Sequence, residues 1–170
     1  MRLEIAPGDT SWGLAAPLFQ AVWPPEFVAT SPWAEVVWAH AERRVLVRNE
    51  RDEIVCHVGI YSRDAVWDGR AVRIGGIGGV ITRQDSRRRG FAGGAIQAAI
   101  AEMNDVDFVL LFCEPHNFAF YRGLGWHPFA GAVVIEQPRG RVRFEALTPF
   151  VFDIRLAPRS GTIDLRGQPC

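Results

Sequence analysis

Between residues 71 and 113 the spacing of apolar side chains changes from strand-like to helical and back. Residues 71–82 read as a strand, entered from residues 65–67 through Asp68-Gly69, a strong hairpin turn. This strand carries Gly75, Gly76, Gly78 and Gly79, which weaken it and point to a bulge or a close backbone approach by a ligand. Residues 83–89 are polar and hold four arginines. Ala92, Ala95, Ile96, Ala99, Ile100 and Met103 then recur at helical intervals. Phe108 to Cys113 is a continuous apolar run, as in a buried central strand. A strand–loop–helix–strand unit therefore sits in the middle of the chain.

Around it the pattern is mostly antiparallel. Residues 2–6 alternate as a short strand. Residues 12–22 read as a helix with Asp9, Thr10 and Ser11 as N-cap candidates, stopped by Pro24-Pro25. Pro32 opens a second helical spacing through Trp33, Val36, Val37 and His40. Residues 45–47 and 54–61 form a hairpin. A short helix over residues 117–122 is stopped by Gly123 and Gly125. Strands follow over 133–136, 142–146 and 150–156, and the tail from Pro158 is polar. The expected fold class is mixed α/β: one domain over residues 1–170, with a central, mostly antiparallel sheet of six to seven strands and helices on both faces.

Charge and composition narrow the function. The 19 basic and 19 acidic residues cancel, which argues against a nucleic-acid partner. All the basic residues are arginine, so lysine Schiff-base chemistry is excluded. Cys56, Cys113 and Cys170 are too far apart for a redox pair, and no histidines stand at metal-ligand spacing, so no metal is expected. The N-terminal residues lack the apolar core of a signal peptide, and no apolar run approaches the roughly 18 residues of a membrane span. The expected location is the cytosol, with no membrane partner.

The loop before the central helix has the physics of an anion site. The first amides of a helix lack intrahelical partners and lie at its positive end. Gly90 lets a phosphate approach the backbone, while Arg87, Arg88 and Arg89 offer charge-assisted hydrogen bonds. Phe91 and Ala92 open the helix, and Ala92, Gly93 and Gly94 keep its start small. A pyrophosphate suits this place, and a solvated arginine loop is the plain alternative. A P-loop lysine pattern and a GxGxxG opening are both absent.

Two motifs in the right order carry a resemblance. Arg87-x-x-Gly90-x-Ala92 resembles the Q/R-x-x-G-x-G/A pyrophosphate loop of the GNAT superfamily of acyl-CoA N-acyltransferases. Asn117…Phe120-Tyr121-x-x-x-Gly125-Trp126 resembles its second motif, N…FY…GF, at the family's separation of one helix and one strand. The resemblance spans about residues 44–130. Within the superfamily, residues 67–80, residues 121–129 and the tail around Asp164-Leu165-Arg166-Gly167 look most similar to the aminoglycoside 2′-N-acetyltransferases, a resistance-type activity. Two positions depart from that group: Gly78 stands where an acidic residue is common, and Cys170 where an aromatic one is. The nodulation acyltransferases, which acylate an amino sugar, are a related group.

The resemblance implies an enzyme that moves an acetyl group from acetyl-CoA to a primary amine of an aminoglycoside or related amino sugar. Another amine (a peptide N-terminus, a polyamine or an amino acid) and a non-catalytic acyl-CoA-binding module are the alternatives. By the same resemblance, the backbone of Val80, Ile81 and Thr82 would bind the pantetheine arm, and Asn117 would contact it or cap the short helix. Phe120 belongs to the same motif and to the cofactor-binding set. An N–H of Val80 or Ile81 would polarise the thioester carbonyl, a role typically worth about 3 kcal/mol. Tyr121 matches the general acid that protonates the leaving thiolate, with a core tyrosine as its plain alternative. Glu114, Glu26 and the terminal carboxylate of Cys170 are candidates for the general base, and His116 has a suitable ordinary pKa. Trp23, Glu26, Phe27 and Trp33 would form the acceptor site, where sugar rings stack on aromatic faces; packing anchors are the other reading of the tryptophans. Homodimers are frequent among such proteins, which makes the C-terminal strands a candidate interface.

Overall fold

The β-branched run Val45-Leu46-Val47 lies in strand β2 (Arg43–Arg48), which pairs antiparallel with β1 (Arg2–Pro7) on one side and β3 (Ile54–Trp67) on the other. Residues Arg44, Val45, Leu46 and Val47 are all buried, so both faces of β2 are covered. Neighbouring side chains show by what. The Arg44 guanidinium carbon sits 5.0 Å from the ring centroid of Trp12, on helix α1 (Gly8–Val22). Arg43 pairs with Glu102, which ends helix α3 (Phe91–Ala101). Consecutive strand residues point to opposite faces, so α1 and α3 lie on opposite faces of β2. Helix α2 (Pro25–Thr30) is short and has no buried residue.

The computed structural model describes residues 1–170, which divide into two compact units. The first comprises Met1–Ala34, His40–Tyr61 and Ile77–Glu102. The second comprises Glu35–Ala39, Ser62–Gly76 and Met103–Cys170. Strands β3 and β4 (Arg70–Thr82) contribute to both. They are joined by the Asp68-Gly69 turn, where both residues have positive φ, 46° and 78°, as a type I′ hairpin requires.

In the second unit the sheet order is β6-β9-β5-β4-β3-β10-β7-β8. Here β5 is Phe108–Cys113, β6 His127–Pro128 and β7 Ala132–Gln137. Strands β8, β9 and β10 are Gly140–Arg143, Thr148–Asp153 and Thr162–Asp164. The pairs β4–β5 and β10–β7 are parallel; β1–β2, β2–β3, β5–β9, β6–β9, β7–β8 and β3–β10 are antiparallel. The parallel register of β4 on β5 runs from Ile74↔Phe108 to Gly76↔Leu110 and stops there. Phe108, Leu110, Phe129, Val133, Ile135, Val151 and Ile163 form the buried centre of this unit. Gly75 makes room in it: a Cβ there would meet the Met103 sulfur at 2.5 Å.

The fold is mixed α/β with a mostly antiparallel sheet, as expected, with ten strands rather than six to seven. The extra segments include β6 and β10, two and three residues long, too short for an alternation to be read. Other expectations need correction. Helix α1 begins at Gly8, so Asp9, Thr10 and Ser11 lie inside its first turn rather than capping it; Ser11 Oγ donates to Pro7 O at 2.5 Å. Helix α1 ends at Val22, just before Pro24-Pro25 as expected, but Pro25 also opens α2, which the spacing did not predict, its missing N–H being harmless at a first helical position. Residues 32–40 are not helical. Asn117 precedes α4 (Phe118–Gly123) but makes no side-chain cap. The polar tail is structural: Ile163 and Leu165 are fully buried. No helix is long and apolar enough to cross a membrane.

Candidate functional site

In the first unit, β4 leads into a loop that is braced from within. Arg83 donates to Asp85 at 2.7 Å and to Glu53 at 3.0 Å, and Ser86 Oγ donates to Asp85 at 2.8 Å. The Arg83 guanidinium beside them holds the Asp85 carboxyl below its ordinary range. Arg87 Nε reaches back to Thr82 O at 3.2 Å. Two of the four arginines thus hold the loop's shape. Arg88 and Arg89 are exposed, and Arg89 lies 5.3 Å from the Phe91 ring centroid.

The loop closes at Gly90, which has φ 79° and sets the start of α3 with no side-chain cap. Glycine takes this left-handed conformation without strain. Arg88 adopts it too, at φ 61°, where a side chain is uncommon. A Cβ on Gly90 would meet nothing within 4 Å, so the backbone there is open to a ligand. Uncapped amides, open backbone and two exposed guanidinium groups form a donor set that fits a pyrophosphate. Phe91 is buried and Ala92 partly so; Phe91 anchors the helix and Ala92 keeps its start small.

The backbone before this loop is irregular at Gly79, whose φ is 57°. Its carbonyl accepts a 2.7 Å hydrogen bond from Nδ1 of His57, which is 1% exposed on β3. His57 Nε2 lies 3.0 Å from Arg44 Nη1. A carbonyl only accepts and a guanidinium only donates, so the imidazole is neutral with its proton on Nδ1. Burial pulls His57 down to a pKa of about 4, and the adjacent Arg44 adds to this against the opposing Gly79 bond. Burial also lowers Arg44, with Tyr61 opposing. Phe19 of α1 meets the His57 ring edge-on at 4.8 Å. Sequence reasoning missed this pair. Its only trace is a histidine and an arginine within two otherwise apolar strand runs. Val80, Ile81 and Thr82 follow at once on β4, with Thr82 Oγ1 donating to Cys56 Sγ at 3.3 Å.

The acceptor candidates of the same unit form a chain of ring contacts. Phe19–Trp23, Trp23–Trp33 and Phe27–Trp33 have centroid separations of 5.6, 5.3 and 6.4 Å. None of these rings is fully buried, and Glu26 is exposed beside them. Trp23 and Trp33 are half-buried and meet edge-on.

In the second unit, Tyr121 is 6% exposed on α4, with Phe120, Trp126 and Phe150 around its ring at 5.1, 6.2 and 6.4 Å. Its carbonyl also accepts the amides of Leu124 and Trp126, which fixes the turn after α4. Phe120 is exposed and Asn117 half-buried. Glu114 follows β5, partly buried, with its carboxylate 3.4 Å from His116 Nδ1. Glu114 and His116, both candidate bases, thus form one pair. Burial pushes the Cys113 thiol just before them up to about 12. Cys170 is buried, its sulfur 3.9 Å from Leu110 O. The tail around it is held by Ala39 N to Pro169 O at 2.8 Å and by Arg63 to Gln168 O at 2.6 Å.

A family model described as the acetyltransferase (GNAT) domain matches residues 9–129. No curated protein matches the chain. Among solved structures, a GNAT family N-acetyltransferase from Escherichia coli in complex with CoA is similar with a TM-score of 0.63 and 13% identity, over 96% of this chain and 88% of that one. A GNAT family acetyltransferase from Brucella melitensis in complex with acetyl-CoA is similar with a TM-score of 0.59 and 11% identity, over 95% of this chain and 94% of that one. At these identities the likeness establishes the fold.

Proposed function

Since the chain belongs to the acetyltransferase (GNAT) domain family, we propose that residues 1–170 act as one acyltransferase domain that transfers acetyl from acetyl-CoA to a primary amine. The observation that carries the donor is the start of α3: a positive-φ glycine, uncapped amides and exposed Arg88 and Arg89. The CoA and acetyl-CoA complexes of the two similar structures support the same donor.

Acetyl-CoA, when bound, supplies an acetyl carbon activated as a thioester and a thiol leaving group. The α3 amides with Arg87, Arg88 and Arg89 bind its phosphates. Gly90 leaves them space, and Phe91 and Ala92 shape the helix start. Backbone groups of Val80, Ile81 and Thr82 bind the pantetheine, and Asn117 and Phe120 are further proposed contacts to the donor. The Val80 N–H polarises the thioester carbonyl. Glu114, with His116 beside it, takes the proton the amine loses as the C–N bond forms. Tyr121 gives its proton to sulfur as the C–S bond breaks.

The acceptor we propose is an aminoglycoside or related amino sugar, which would make this a resistance-type activity. Its support is the surface ring cluster of Trp23, Phe27 and Trp33 beside the exposed Glu26, which offers stacking faces and one negative charge. Cys170, which is buried, is the remaining candidate contact to the acceptor. For self-association we propose β8, the end strand of its unit, whose four residues are all exposed.

Thiol release from acetyl-CoA, measured against aminoglycosides, polyamines and peptides, tests the reading. Release that needs an aminoglycoside, with a 2′-acetylamino product by NMR, supports the full proposal. Release only with other amines retains the transferase and overturns the acceptor. Tight acetyl-CoA binding with no release for any amine would leave a binding module.

A further inference from the structure

The proposed use of the Val80 N–H requires that its peptide be held in one orientation. The Gly79–Val80 peptide, like every other in the chain, is trans, so the Gly79 carbonyl and the Val80 N–H lie in one rigid plane and point in opposite directions. Whatever holds the carbonyl therefore sets the direction of the amide. Gly79 lies inside β4 with φ 57°, outside ordinary strand geometry. The group that holds its carbonyl is the His57 ring, at 2.7 Å.

Two neighbours hold that ring. Arg44 donates to Nε2 at 3.0 Å and so confines the proton to Nδ1, the nitrogen that faces Gly79. Phe19 packs edge-on against the ring at 4.8 Å. Arg44 is itself held, with Nε 3.4 Å from Gly8 O and its guanidinium over Trp12. A Cβ on Gly79 would lie 2.9 Å from Phe19 and 3.3 Å from His57, so the glycine, the ring and the imidazole fill one packed site.

We propose that His57, with its tautomer fixed by Arg44, is a positioning residue for acetyl transfer: it locks the Gly79–Val80 peptide plane and thereby aims the Val80 N–H at the thioester oxygen. The inference rests on the proposed use of the Val80 N–H. It adds two buried residues, His57 and Arg44, to the proposed machinery. Arg44 from β2 is the charged group facing His57, and Tyr61 from β3 is the titratable group that interacts with Arg44.

Three variants test it. His57→Phe fills the space but removes the donor, and His57→Asn restores a short N–H donor on the Nδ1 side. Arg44→Met leaves the imidazole in place but frees its tautomer. For His57→Phe we expect kcat to fall about tenfold or more, since loss of such an oxyanion donor costs 10²–10³ outright. The KM for acetyl-CoA should stay near its wild-type value, and His57→Asn should recover most of kcat. In the ligand-free protein the ¹H–¹⁵N resonance of Val80 should move in His57→Phe and return in His57→Asn. If His57→Phe does not fold, Arg44→Met carries the test: its imidazole ¹⁵N shifts should show a tautomer mixture, with a smaller fall in kcat. An unchanged kcat and an unmoved Val80 resonance would overturn the inference. A wild-type protein that transfers acetyl to no amine would instead overturn the functional reading, and the Val80 resonance would still decide whether His57 sets that peptide.

Discussion

Gly79 combines a left-handed φ with a Cβ position already occupied by Phe19, so Gly79→Ala carries two penalties at once. A left-handed non-glycine residue costs about 1–2 kcal/mol, and the contact adds to it. Urea unfolding should show a loss of about 2 kcal/mol or more; a smaller loss would mean that β4 relaxes there. The side chains around it differ in how visible they are from sequence. Tyr121 and Gly90 stand in spaced motifs and were legible. His57 and Arg44 were not, because their roles come from strands β2, β3 and β4 lying side by side, which no local pattern encodes. Burial of Cys56, Cys113 and Cys170 gives a second residue-scale expectation. With the Cys113 thiol pushed to about 12, a disulfide reagent should react slowly with the native protein and with all three thiols in denaturant. Rapid reaction of the folded chain would contradict that burial.

At the scale of elements, the segment 71–113 was readable because each piece is long and has one period. Helix α3 and strand β5 appear where the apolar spacing placed them. The errors fall where pieces are short or rest on proline. Pro25 opens a six-residue helix, and residues 32–40 have helical spacing without forming a helix. Strand β10 offers one buried apolar residue, Ile163, within a polar tail. Ile163 is 0% exposed and sits in the central cluster, so Ile163→Ala should cost about 2–5 kcal/mol in chemical unfolding. A loss near zero would return the tail to the role of a loose end. For the α3 loop, Arg88→Ala and Gly90→Glu should each raise the acetyl-CoA dissociation constant, and added salt should weaken wild-type binding more than Arg88→Ala binding. Donor affinity indifferent to all three changes would remove the phosphate loop from the account.

At the scale of the whole molecule, the buried imidazole links stability to pH. His57 ordinarily titrates near 6.5 and in the fold near 4, so between these values the unfolded chain binds a proton that the folded chain refuses. Stability therefore falls as pH drops from about 6.5 toward 4, by up to roughly 3 kcal/mol, and this contribution is flat above and below that window. Subtracting the stability curve of His57→Phe from that of the wild type should isolate this slope; parallel curves would contradict the neutral buried ring. The fold class itself was legible from the alternation of long strands and one clear helix. The strand total was not, since short segments owe their pairing to neighbours distant in sequence. Acetyl transfer with Tyr121 as the acid is tested by following thiol release and amine acetylation together in wild type and Tyr121→Phe. The account predicts one thiol per acetylated amine in the wild type. In Tyr121→Phe, kcat should fall by about 10² or more at unchanged acetyl-CoA affinity. Equal turnover in the two proteins, or no amine-dependent thiol release from the wild type, would contradict it.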